Sequence, residues 1–288
     1  MKDTISLDNF FLLAIMQNQF VHYKNSGINY CRYGNGNQLV LCFHGYGEEA
    51  GSFSFLEKYA GNQFTFIAID LPFHGQTEWK ESLNFSVEDL KRIIKEILLQ
   101  NNIKHQASNL ELLGFSLGGR IALSLYQSQP QTIKKMVLLA PDGLKVNFWY
   151  WLGTKTLLGN KLFAFTMKKP HWFFGFLKLM NKVKLVNSSI FKFVNYYIGD
   201  EKARRSLYER WTGFRKLTPD LKKIKSQIQA NKTQVRFIYG RYDKVILPAR
   251  GEKFQKGIEE FCKLKIIESG HQVLHEKHAE EIMLALLK

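Results

Sequence analysis

A five-residue run at 114–118, Gly-Phe-Ser-Leu-Gly, constrains the fold of this chain more than any other feature. An apolar stretch typical of a buried strand precedes it, and a helix-forming stretch follows it at 120–126. A strand that turns directly into a helix forces the central residue of the turn into strained backbone geometry, which only small neighbours allow. We therefore expect Ser116 at the end of a strand and the beginning of a helix, with Gly114 and Gly118 providing the space around it.

Two further residues follow strand patterns and have the chemistry to activate this serine. A serine hydroxyl becomes a useful nucleophile when a base removes its proton and a carboxylate orients the base. Asp243 comes just after a strand pattern at 235–239, and His271 comes just after another at 264–267. We expect both side chains at the carboxyl edge of a parallel sheet, beside Ser116, as a catalytic triad.

Other residues compete for these roles. Asp142 follows the sixth predicted strand and is the main rival to Asp243 as the acid. His275 and His278 are weaker candidates for the base than His271, because they lie on or near the final predicted helix. No H-E-x-x-H motif or paired C-x-x-C spacing is present, and we predict neither a metal nor a cofactor.

The loop after the strand pattern at 39–43 completes the predicted site. Acyl transfer builds negative charge on a carbonyl oxygen, and two backbone N–H groups aimed at that oxygen stabilise it. We expect these two groups to come from Tyr46 and Leu117. His44 and Gly45, which precede Tyr46, are expected to shape the loop and to take no part in the chemistry.

With these motifs in this order, the chain resembles the α/β-hydrolase superfamily over nearly its whole length. The segment at 70–75, Asp-Leu-Pro-Phe-His-Gly, is similar to the family's D-x-P-G-H-G turn, with Phe73 in place of the usual glycine and His74 in a structural role. The resemblance implies an α/β fold with a mostly parallel central sheet flanked by helices and a helical cap inserted between strands six and seven. It divides the chain into core residues 1–143, cap residues 144–218 and core residues 219–288.

Periodicity gives a coarse layout that agrees with this division. A hairpin is predicted near 20–33, with Ser26 and Gly27 at its turn, and a short helix near 10–16. The further predicted strands lie near 39–43, 64–69, 109–114, 134–139, 234–239 and 263–267, and the clearest helices near 87–99 and 278–287. Alternating strands and helices indicate a parallel sheet covered on both faces.

The interval 144–218 has no strand–helix alternation and an unusual composition. It holds 15 basic and three acidic residues, a net charge of +12 out of +16 for the chain, and 17 of the 40 aromatic residues. One interpretation is a small helical subdomain with an aromatic core and a solvated lysine face, which we favour. Others are peripheral contact with an anionic membrane, or capture of an anionic substrate by Arg204 or Arg205. No nucleic-acid recognition motif accompanies the charge, and no nucleic-acid partner is expected.

Length and cysteine content complete the expectations. A chain of 288 residues can bury one large core, and Cys31, Cys42 and Cys262 are too few and too widely separated for a disulfide framework. The apolar stretch at 10–16 is too short to span a bilayer. We therefore expect a cytoplasmic protein, with peripheral membrane contact as the alternative.

The expected activity is that of a serine hydrolase. The triad predicts cleavage of a small-molecule carboxylic ester or related acyl bond through an acyl-enzyme, as in esterases and lipases. Carbon–carbon bond hydrolases, lyases and haloperoxidases also use a serine on this scaffold, and a hydrolase of membrane lipids or acylglycerols is a further alternative. A non-catalytic binding relative is disfavoured by the complete set of Ser116, Asp243 and His271.

Overall fold

The centre of the molecule is an eight-stranded sheet with the order β1-β2-β4-β3-β5-β6-β7-β8. The computed structural model describes residues 18–103, 109–146, 148–182 and 198–288. Its strands are β1 (Asn18–Tyr23), β2 (Ser26–Tyr33), β3 (Gln38–Phe43), β4 (Phe64–Ile69), β5 (Leu110–Phe115), β6 (Ile133–Leu139), β7 (Gln234–Gly240) and β8 (Cys262–Ile267). β2 pairs with both β1 and β4 in antiparallel fashion, and all other neighbours are parallel.

Helices connect most of the parallel strands. They are α1 (Glu57–Ala60), α2 (Val87–Gln100), α3 (Leu117–Ser128), α4 (Phe148–Lys155), α5 (Leu157–Lys168), α6 (His171–Lys182), α7 (Glu201–Gly213), α8 (Leu221–Asn231), α9 (Ala249–Gln255) and α10 (Ala279–Leu287). Short 3₁₀ turns lie at Ala50–Leu56, Pro130–Thr132 and Glu276–His278. Among the helices in the described ranges, none combines the length and the apolar character needed to cross a membrane.

Burial explains why the central strands are so apolar. Every residue of β4 and β5 is buried, as expected for strands that are covered on both faces of a parallel sheet. The predicted mostly parallel sheet flanked by helices is confirmed. Because parallel strands run in one direction, the loops after β3, β5, β7 and β8 meet at one edge of the sheet.

The predicted hairpin exists, but its predicted turn was wrong. The two residues between β1 and β2 are Lys24, with a φ of 54°, and Asn25, whereas Ser26 pairs with Tyr23 inside the ladder. Ser26 is fully buried because its hydroxyl donates to Glu81 and accepts from the backbone N–H of Lys80. The sequence near Ser26 gives no sign of these distant partners, and a Ser-Gly pair by itself is typical of a turn.

The chain divides into two compact units. The first contains the sheet and comprises the described residues of Met1–Glu81, Val87–Lys145 and Leu217–Lys288. The predicted helix near 10–16 lies outside the described residues.

The second unit, called here the helical unit, comprises Ser82–Ser86 and the described residues of Val146–Lys216. Its interior contains aromatic contacts: the ring centroid of Phe163 lies 5.4 Å from that of Tyr208 and 5.8 Å from that of Trp211. Segment 82–86 joins it through Phe85, whose N–H donates to the carbonyl of Gly213.

Candidate active site

Ser116 occupies the turn between β5 and α3 in a strained conformation. Its φ of 49° and ψ of −112° lie outside the regions that residues with a side chain commonly occupy. A glycine is required at position 118, in the first turn of α3, because a Cβ there would lie 1.8 Å from the carbonyl oxygen of Phe43. A Cβ on Gly114 would lie 2.6 Å from the carbonyl oxygen of Gly118. The backbone at this corner is therefore packed too tightly for any residue larger than glycine at positions 114 and 118.

The structure brings Ser116, His271 and Asp243 into one hydrogen-bonded chain. The Nε2 atom of His271 lies 3.0 Å from the Oγ atom of Ser116, and its Nδ1 atom lies 2.7 Å from the Oδ2 atom of Asp243. Because a carboxylate only accepts, Nδ1 carries the proton and Nε2 is left to accept from the serine hydroxyl. The other carboxylate oxygen of Asp243 accepts from the N–H groups of Val245 and Ile246, at 2.7 and 2.8 Å. These bonds hold the buried carboxylate toward the imidazole.

The side chains of Asp142 and His275 have other partners, and that of His278 is buried. Asp142 forms an ion pair with Arg120 and accepts from the N–H of Gly143. His275 caps the turn at Glu276–His278 by accepting from the N–H of Lys277. His278 is buried, and this burial lowers the pKa of its imidazole. Of the two candidate acids, only Asp243 has a hydrogen bond to His271 among the contacts described.

The loop after β3 contains the predicted donor Tyr46 and is fixed by His44. The fully buried ring of His44 accepts from the N–H of Leu71 at Nε2, and its Nδ1 atom lies 2.8 Å from the carbonyl oxygen of Gly45. Leu117, the second predicted donor, is the first residue of α3, where the backbone N–H groups have no acceptor within the helix. Both donors thus follow carboxyl ends of neighbouring strands, β3 and β5.

Two residues that the sequence analysis did not identify connect this loop to His271. One carboxylate oxygen of Glu48 accepts from the N–H of Gly45 at 3.2 Å, and the other accepts from the side-chain amide of Gln272 at 2.6 Å. Burial raises the pKa of the Glu48 carboxyl, and these two hydrogen bonds together with the positive form of His271 partly oppose that shift. The only local signal is that Glu48 follows the His-Gly-Tyr-Gly run.

A second buried carboxylate supports the neighbouring turn. Asp70 is almost completely buried and accepts from the N–H groups of Ala50 and Gln76 and from the side-chain amide of Asn29. The predicted structural turn follows it, with Phe73 at a φ of 65°, where a glycine would be unstrained. His74 is buried in this turn, and its Nδ1 atom lies 2.9 Å from the carbonyl oxygen of Pro72.

The described residues contain no group of three histidine, cysteine or acidic side chains arranged to hold a metal ion. Cys31, Cys42 and Cys262 are all buried as free thiols. Burial raises the pKa of the Cys31 thiol to about 11 and that of the Cys262 thiol to about 12, so neither is a nucleophile near neutral pH.

Comparisons with known proteins place this chain in a family of hydrolases. A model of the alpha/beta hydrolase fold family matches residues 38–278. The chain is 30% identical over 124 residues to the uncharacterized hydrolase YugF of Bacillus subtilis (strain 168), which covers 43% of this chain and 41% of that protein. It is 28% identical over 136 residues to the pimeloyl-[acyl-carrier protein] methyl ester esterase of Aeromonas salmonicida (strain A449), covering 46% and 50%. The chain therefore spans half or less of the length of these curated relatives.

A solved structure extends the likeness to the whole fold. The meta-cleavage product hydrolase from Pseudomonas fluorescens IP01 superposes with a TM-score of 0.61 at 17% identity, covering 95% of this chain and 97% of that one. At this identity the likeness shows the shared fold alone.

Proposed function

Since this chain belongs to the α/β-hydrolase family, we propose that it hydrolyses a carboxylic ester or a related acyl bond with Ser116 as the nucleophile. The observation that carries the proposal is the hydrogen-bonded chain from the Ser116 hydroxyl through His271 to Asp243, with both distances at or below 3.0 Å. The name of one relative, a methyl ester esterase, supports an ester as the scissile bond.

The proposed reaction has two halves. In the first, His271 Nε2 takes the proton of Ser116 as Oγ forms a bond to the substrate carbonyl carbon, and the negative oxygen accepts from the N–H groups of Tyr46 and Leu117. The tetrahedral intermediate collapses when His271 donates that proton to the leaving alcohol, which leaves an acyl group on Ser116. In the second half His271 takes a proton from water as the water oxygen bonds to the acyl carbon. The bond from that carbon to Ser116 Oγ then breaks, His271 returns the proton to Oγ, and the acid is released. Asp243 keeps its charge throughout and stabilises the imidazolium.

We propose that the helical unit corresponds to the cap that the α/β-hydrolase resemblance implies. Its larger part, Val146–Lys216, interrupts the chain between β6 and β7, the position in which the α/β-hydrolase resemblance places a cap.

Hydrolysis of p-nitrophenyl esters of increasing acyl length tests the proposal. The wild-type chain should release nitrophenol from at least the short esters, and Ser116→Ala should lower kcat/KM by about 10⁴-fold or more because the covalent route is lost. Ser128→Ala is the matched control, since this exposed hydroxyl ends the same helix, α3, and bonds only to the carbonyl of Leu125 among the contacts described. Equal turnover by Ser116→Ala and Ser128→Ala would refute the mechanism.

A further inference from the structure

The outer face of α5 presents large apolar side chains to solvent. Leu157 is 88% exposed and Leu158 is 80% exposed, and Leu162 and Phe165 continue the same face one and two turns later. Such spacing is typical of a helix face that packs against something. Contiguous exposed apolar surface of this kind usually marks an interaction site.

The opposite face of α5 fixes this orientation. Phe163 packs against Tyr208 and Trp211 in the interior of the helical unit. The side-chain amide of Asn160 donates to the carbonyl of Gly153 and to the hydroxyl of Thr212, at 3.0 and 3.2 Å. These contacts fix the rotation of α5 about its axis. Leu157, Leu158 and Leu162 therefore face outward because the opposite face of the helix is packed inside the helical unit.

The next helix, α6, extends the apolar surface. The ring of Trp172 lies 6.3 Å from that of Phe165, which joins the outer faces of the two helices. Phe176 and Leu179 follow Trp172 at helical spacing and are 48% and 56% exposed. We call this surface the apolar hairpin face; its members are Leu157, Leu158, Leu162, Phe165, Trp172, Phe176 and Leu179.

Lysines accompany the apolar hairpin face, and the two helices that form it, α5 and α6, contain no aspartate or glutamate. Lys161, Lys168 and Lys169 are exposed on or directly after α5, and Lys178 is exposed on α6. Residues 143–199 contain nine lysines and no aspartate or glutamate. The interpretation of a purely solvated lysine face does not account for the leucines and aromatic residues between these lysines.

We propose that the apolar hairpin face docks on the surface of an anionic lipid bilayer. The apolar side chains would enter the boundary between headgroups and acyl chains, while the lysines remain at the level of the lipid phosphates. A second copy of this chain fits less well, because a two-fold contact would oppose the same lysines across the interface, and lysine is depleted in protein–protein interfaces. Docking uses no group of the candidate active site, so this inference goes beyond the proposed hydrolysis.

Vesicle flotation of the full chain tests the docking. Wild-type protein should float with vesicles that contain phosphatidylserine, far less with pure phosphatidylcholine, and less as salt is raised, because screening weakens the attraction of exposed charges. Leu158→Asp with Leu162→Asp should reduce the partition coefficient by at least about 10-fold. Lys161→Glu, Lys168→Glu and Lys169→Glu together should reduce it by about 100-fold or more.

Matched variants elsewhere separate docking from general charge and stability. Leu99→Asp replaces a leucine that is 60% exposed on α2, and Lys222→Glu, Lys223→Glu and Lys253→Glu make the same charge change on the first unit. Both control proteins should float nearly as wild type, and circular dichroism should show all variants folded.

Three results would overturn the proposal. They are wild-type protein that stays with the soluble fraction at low salt, equal flotation by the hairpin and control variants, and self-association without lipid that the leucine variants abolish while flotation is absent. None of these outcomes depends on turnover. A failure of docking is thus distinguishable from a failure of the proposed hydrolysis, which the nitrophenyl esters report.

Discussion

At the scale of the residue, Ser116 stores backbone strain. A non-glycine residue with a φ of 49° and a ψ of −112° costs about 1–3 kcal/mol and persists only where its surroundings determine it. Here the N–H of Ser116 donates to the carbonyl of Leu139, and its own carbonyl accepts from the N–H groups of Gly119 and Asp142. These bonds hold the hydroxyl at the end of β5, within reach of His271.

The two acidic residues near this corner should differ sharply in their effect on catalysis. Asp243→Asn should leave the protein folded but favour the wrong tautomer of His271, lowering kcat by up to about 10⁴-fold. Asp142→Asn removes only the partner of Arg120 and should change kcat far less. Steady-state kinetics on a short nitrophenyl ester decide between them. The reverse ranking would mean that the acid is Asp142.

Glu48 is expected to position the loop of Tyr46 relative to His271. Glu48→Gln keeps the shape of the side chain but places an amide against the amide of Gln272 or the N–H of Gly45, where only an acceptor fits. We expect kcat to fall by about 10-fold with KM nearly unchanged, because the loss concerns the oxyanion of the transition state. A change confined to KM would contradict this role.

Glu48→Gln should also change how the stability of the folded protein depends on pH. Because burial raises the pKa of Glu48 in the folded state, the folded protein holds this proton more tightly than the unfolded chain does. The stability that this contributes is complete below the ordinary pKa of a glutamate and is lost as the pH rises through the folded-state value. Tm measured from pH 4 to pH 7 should therefore rise in Glu48→Gln relative to wild type as the pH increases. A constant difference would contradict the shift.

The sequence analysis predicted the three residues of the hydrogen-bonded chain but not the residues that support it. Ser116, Asp243 and His271 could be predicted because each follows a recognisable strand and has a distinctive chemistry. Glu48 could not, because its partner Gln272 is 224 positions away and neither residue has a motif.

At the scale of the element, the buried parallel strands were the most predictable part. β4 occupies Phe64–Ile69 as predicted, and β3 and β5–β8 lie within one residue of their predicted bounds, since long apolar runs indicate strands that are covered on both faces. The turn after β1 was mispredicted, because Glu81 and Lys80 hold Ser26 in the ladder from a distance.

The packing of α3 against β3 provides a test at this scale. Gly118→Ala places a Cβ against the carbonyl of Phe43 and should destabilise the protein by about 3 kcal/mol or more, or prevent folding. Gly27→Ala, in β2, meets no atom within 4 Å and should be neutral or stabilising by up to about 1 kcal/mol. Chemical denaturation of both variants measures the two effects. A well-folded Gly118→Ala protein with wild-type stability would show that the corner can relax.

At the scale of the whole molecule, charge is distributed unevenly along the chain. The interval 144–218 has a net charge of +12, and the rest of the chain has a nearly balanced composition. Composition could indicate that this interval differs from the core. It could not indicate which face of α5 is exposed, because Phe163 and Leu162 are equally apolar and only the contacts with Tyr208 and Trp211 distinguish them.

If Ser116 is an activated nucleophile, as proposed, a reagent specific for such serines will modify it covalently. Purified protein is incubated with a fluorophosphonate probe, digested, and searched by mass spectrometry for the modified peptide. We expect a single modification on the peptide that contains Ser116, no labelling of Ser116→Ala, and wild-type labelling of Ser128→Ala. A folded wild-type protein that stays unlabelled, or a Ser116→Ala protein labelled as fast as wild type, would contradict it.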